Sequence, residues 1–216
     1  MIRWLIAALN PRDMAPHPNF LSSEVLTPAG MIALSSGMRW AEYSDLYPKV
    51  RDSEEVQASE ISLVEGVRQV LEAESVERGL ERLTTFVEEE GGGLGLRVVA
   101  GLFASVALAE LDRHDESVSI VESVLGAVGG GGDSYTSDEL LLRAVLLQQL
   151  ALRKWEHGSG GRSEAVEALG NINSVRVGSL SRFPNSRGVR WPSSRSCALV
   201  VGELRSAIEQ FLVHEE

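Results

Sequence analysis

Cysteine is almost missing from this sequence. Cys197 is the single one among 216 residues, which excludes a disulfide within the chain and a thiolate metal cluster built from one copy. A reducing compartment, and so a cytoplasmic location, is the expectation. Lysine is nearly as scarce, at Lys49 and Lys154 against 18 arginines. Neither glycine run, 91–95 or 129–132, leads into the Gly-Lys-Ser or Gly-Lys-Thr of a phosphate-binding loop. Both runs read as helix stops and flexible links. The four histidines, His17, His114, His157 and His214, include no two at helical ligand spacing and have no cysteine pair near them, so neither a metal site nor a cofactor is expected. No Gly-x-Ser-x-Gly nucleophile elbow occurs. Long apolar runs are lacking too. The most apolar segment, 98–109, is 12 residues between Arg97 and Glu110, short of the roughly 20 that span a bilayer, and reads as a buried helix. The apolar stretch within residues 1–9 is too short for a secretory signal and runs into Asn10-Pro11-Arg12-Asp13, so no signal peptide is expected.

What is present is acid and helical periodicity. The formal net charge is −11, and residues 51–90 carry 12 acidic against 4 basic side chains. That surface repels nucleic acid and anionic membranes and favours a basic partner, although a solvated helix face is the stronger reading of such charge. Five of the seven prolines fall within residues 1–50, which divides that region from the rest. Residues 1–26 read as an extended arm with an apolar tip at Trp4-Leu5-Ile6, and residues 27–50 as a helix, opened by Thr27-Pro28, with its linker.

From residue 53 the apolar spacing is helical. Val56, Ile61, Val64, Val67 and Leu71 mark one helix, and Val76, Leu80, Leu83 and Phe86 its partner. Residues 94–111 form the next, and Val118, Val121, Leu125 and Val128 carry the returning helix. Ser137 is placed as the N-cap of a third hairpin with Leu140, Ala144, Leu147 and Ala151 on one face, followed by a short helix over 163–172. Residues 174–193 form an arginine- and serine-rich strap without helical pattern. Residues 194–216 form a last helix whose Leu199, Leu204, Ile208 and Phe211 would close the open end. The fold class is all-α, an irregular solenoid or bundle of antiparallel hairpins with a C-terminal cap.

One phrase recurs in the three hairpins of residues 51–173: a turn, a small residue, then an amphipathic helix. It stands at Glu77-Arg78-Gly79-Leu80, Asp115-Glu116-Ser117-Val118 and Ser163-Glu164-Ala165-Val166, and Ser105 lies 12 residues before Ser117, the spacing of a helix crossing. With these residues the chain resembles tetratricopeptide-like repeats, Glu164-Ala165 matching the family phrase best. The resemblance covers about residues 53–172 and implies stacked hairpins that present a groove to a partner segment. It departs from the family in spacing: Gly79, Ser117 and Ala165 are 38 and 48 residues apart, against about 34 in the regular repeat, and the proline that ends each unit is absent.

For function, the favoured expectation is a non-catalytic module that binds protein partners as an adaptor or subunit of a larger assembly. Its polar lining would come from the first helices of the hairpins, at Arg68, Gln69, Arg143 and Gln148, and Trp4 on the arm would dock on a partner or on a second copy. No catalytic residue is assigned. Asp112, His114, Asp115 and Glu116 share one turn, but short polar residues are what such a turn needs. A small helical enzyme, or a regulatory subunit of one, is the second reading. The third is an RNA-associated subunit: Arg176, Arg182, Arg187, Arg190 and Arg195 lie with Phe183 and Trp191 in residues 174–202, which hold no acidic side chain and could grip phosphates and stack on bases. The plainer reading of the same segment is a strap that neutralises the acidic first hairpin, or simple disorder, and docking on an acidic protein surface stands between that and nucleic acid.

Overall fold

In the computed structural model, residues 58–71, 75–88, 94–128, 135–179 and 194–214 are described. Trp4, the proline-rich arm and the helix expected over 28–43 lie outside them, as do Arg182, Arg187, Arg190 and Trp191. The described residues form an all-α structure with no strand among them. In chain order the helices are α1 (Ala58–Leu71), α2 (Val76–Glu88), α3 (Leu94–Glu110), α4 (His114–Ala127), α5 (Ser137–Glu156), α6 (Arg162–Ser174) and α7 (Ser194–His214). A 3-10 turn, Val177–Ser179, opens the stretch that the sequence left without helix.

Each helix packs on the next, and α1 also touches α3, α3 touches α5 and α5 touches α7. Contacts thus run one or two helices along the chain, as in hairpins laid down in series. Inside each hairpin the crossing is made by the small residue of the recurring phrase. A Cβ on Gly79 would come within 2.7 Å of Val70 Cγ2 and 2.9 Å of the Gly66 carbonyl oxygen, so α1 and α2 approach at a distance only glycine allows. Ser117 is fully buried and donates to the Ser105 carbonyl oxygen at 2.7 Å, joining α3 to α4. Ala165 is buried on α6 against Ala144, Leu147 and Ala151 of α5.

Two cores result. The first joins α1 (Leu63, Val67, Val70), α2 (Leu80, Leu83, Phe86, Val87), nearly all of α3 from Val98, and Val121 and Val124 of α4 to Leu142, Leu146 and Leu150 of α5. The second joins Leu141, Ala144, Leu147 and Ala151 of α5 to Ala165, Ala168 and Ile172 of α6 and to Val201 and Ile208 of α7. Helix α5 therefore belongs to both, and each fully buried leucine on it contributes roughly 1.5–3 kcal/mol. Three of the four residues expected on its buried face are there. Leu140 is only half-buried and Leu141 takes its place, because the helix is enclosed from two sides and a single stripe does not describe it.

The start of α5 is also corrected. Its N-cap is Thr136, not Ser137: Thr136 Oγ1 accepts from the Glu139 amide, and the Glu139 carboxylate accepts from the Thr136 amide at 2.8 Å. Ser137 Oγ instead accepts from the Arg176 amide at 3.2 Å, holding the segment after α6 against the start of α5. Between α5 and α6, Gly161 has φ 152°, and a Cβ there would meet the Ala151 carbonyl oxygen at 2.3 Å. This turn requires glycine.

Helix α7 closes the second core with Val201 and Ile208 and the half-buried Leu204 and Phe211, while Gly202, Ser206, Glu209 and Gln210 face solvent. Arg162 Nη1 at the start of α6 donates to the Leu212 carbonyl oxygen at 3.0 Å, satisfying one of the open carbonyls near the end of α7. Of the four apolar positions expected to cover the end, Leu204, Ile208 and Phe211 pack on the second core, and the Leu199 side chain lies outside those described.

Candidate functional site

Three polar arrangements stand out. The most buried lies where the α3–α4 turn meets the end of α5. Arg153 on α5 is only 5% exposed. Its Nε and Nη2 each donate at 3.0 Å to the Gln149 amide oxygen, which also lies 3.1 Å from Ser105 Oγ. The Ser105 hydroxyl reaches the Leu102 carbonyl at 2.8 Å as well. On its other side Arg153 Nη1 donates to Glu156 Oε2 at 2.6 Å. The pair is close, yet burial dominates both members: it pulls the Arg153 pKa down and pushes that of Glu156 up, beyond what their attraction restores.

Above this pair sit His114 and His157, their ring centroids 5.6 Å apart, with His157 Nε2 3.2 Å from Asp115 Oδ1 and His114 Nε2 3.9 Å from Asp112 Oδ1. The sequence places these histidines 43 residues apart, and only the packing of α5 on α4 brings them together. Asp112 takes φ 57°, the left-handed conformation that ends many helices, and the Arg113 amide donates to the Leu108 carbonyl at 2.8 Å. The acid- and histidine-rich turn is thus the stop of α3 and the start of α4.

A second arrangement ties α4, α5 and α6. Lys154 Nζ lies 2.8 Å from Glu164 and 3.2 Å from Glu122, and its pKa is raised chiefly by the hydrogen bond to Glu164. At the other end of α5, Arg143 Nη2 donates to Glu167 at 2.8 Å while its guanidinium sits 4.6 Å from the centre of the Tyr135 ring. Arg143, expected in a partner-facing lining, is therefore engaged with α6. Gln148 is 6% exposed, with its amide oxygen buried and without a partner among the described residues. Gln69 is half-buried in the same condition. Arg68 lies on α1 and Arg195 on α7, and Arg176 is exposed. These residues do not gather at one place that the described contacts define.

The third arrangement is a groove of about 390 Å3 along the outer side of α2, facing Arg113 in the α3–α4 turn. Leu80 forms part of its wall, and Glu77, Glu81 and Glu88 line it at spacings of four and seven residues. None of the three carboxylates has an ion pair or hydrogen bond among the described residues. Thr84 and Thr85 complete the lining, but their hydroxyl protons are used within the helix, on the carbonyls of Leu80 at 2.7 Å and Glu81 at 3.1 Å. Arg113 is taken as well: its Nε and Nη2 grip Glu116 at 2.7 and 2.6 Å, which raises the Arg113 pKa and lowers that of Glu116. The groove is rich in free acceptors, and its remaining side-chain donors are the Arg113 N–H groups that Glu116 does not take. The acidity of residues 51–90 announced its charge, while the groove itself depends on the position of the later turn.

Among the described residues no three histidine, cysteine or acidic side chains converge to hold a metal ion, and no helix is long and apolar enough to cross a membrane. No protein-family model, curated protein or solved structure matches the chain.

Proposed function

We propose that this chain is a non-catalytic interaction module, an adaptor or subunit of a larger assembly, which holds an extended partner segment bearing arginine or lysine along the outer groove of α2. The observation that carries this reading is the acidic lining: three carboxylates without partners among the described residues, two threonines whose protons are spent, and an arginine whose charge is already paired with Glu116. A cationic donor complements such a surface, whereas a carboxylate or phosphate would be repelled. The serial stacking of helices supports it further, since hairpins added one after another extend a continuous surface.

The test is direct titration of the full chain with fluorescent peptides of equal length that carry four arginines, four lysines or four glutamates. The reading expects the arginine peptide to bind, the glutamate peptide not to, and affinity to fall at least several-fold between about 50 and 300 mM salt, over which the screening length shortens roughly 2.4-fold. The Glu77→Gln/Glu81→Gln/Glu88→Gln variant should lose about tenfold or more in affinity, with circular dichroism unchanged. Equal binding by this variant overturns the assignment to α2, and no binding by either basic peptide overturns the basic-partner reading.

A further inference from the structure

We draw no further inference here: the strongest candidate, the His114–His157 pair at the corner between the α3–α4 turn and the end of α5, sets each ring near one exposed aspartate, but no three such side chains converge to hold a metal ion among the described residues, and nothing in the structure shows what the pair would hold.

Discussion

Glycines that look alike in sequence carry opposite demands here. Gly79 sits at the α1–α2 crossing, where an added Cβ meets the backbone of Gly66 and Val70 at 2.9 and 3.0 Å. Gly170 lies inside α6 with open space around it. Gly79→Ala should therefore destabilise by about 1–3 kcal/mol through overpacking, and Gly170→Ala should stabilise by roughly 0.5–1 kcal/mol through helix propensity. Urea denaturation of both variants checks this, and a neutral Gly79→Ala would mean that the helices part without penalty. The small residues at 79, 117 and 165 were legible because each follows a turn and precedes an amphipathic run. The tie of Gln149 to Ser105 was not, because the two are 44 residues apart and nothing local links them.

Glu156 gives the second residue-scale prediction. Burial raises its pKa, so the folded protein takes up its proton at a higher pH than the unfolded chain does. Between that raised value and the ordinary value of roughly 4.3, the folded state binds more protons, and the contribution of Glu156 to stability rises as pH falls. Glu164 runs the other way. Burial there is outweighed by hydrogen bonds from Lys154 and Ser163 and within its own backbone, so its pKa is lowered and its contribution is lost only below the ordinary value. Wild-type stability measured relative to Glu156→Gln should therefore increase from pH 7 to pH 5. Parallel stability curves for the two proteins would remove the buried carboxylate from the account.

At the scale of the element, α5 decides how the chain is put together, and its first turn is where the sequence misled. Thr136 and Ser137 are adjacent cap-forming residues, and either could open the helix by composition. Glu139 settles the choice, because the reciprocal capping box needs the carboxylate three positions after the cap and only Thr136 has that spacing. Thr136→Ala should cost about 1 kcal/mol, with faster hydrogen exchange at the first-turn amides of α5. Ser137→Ala removes only the acceptor for the Arg176 amide and should leave those amides protected. The reverse ranking would restore Ser137 as the cap. The double burial of α5 escaped the sequence for a related reason: leucine and alanine occupy most of its circumference, so no one face carries the pattern.

For the whole molecule the question is how far one end senses the other. The two cores meet on α5 and at the half-buried Leu125 of α4, and most contacts connect nearest or next-nearest helices. Stability in such a stack is approximately the sum of hairpin terms and neighbour interfaces. Ile208 on α7 is fully buried in the second core, so Ile208→Ala should cost about 2–5 kcal/mol there. Native-state hydrogen exchange locates that cost. Protection should fall most in α6 and α7, less in α5, whose other face is still held by the first core, and least in α1 to α3. The Ser105–Gln149–Arg153 network opposes this gradient, because it fastens α3 to α5 through buried polar groups that cannot part singly without leaving a donor or acceptor unsatisfied. An equal loss of protection from α1 to α7 would mean that this fastening dominates and that the chain unfolds as one cooperative unit. A loss confined to α6 and α7 would place the boundary between cooperative units on α5, leaving the acidic groove of α2 on the half that a disturbed C-terminal cap does not reach.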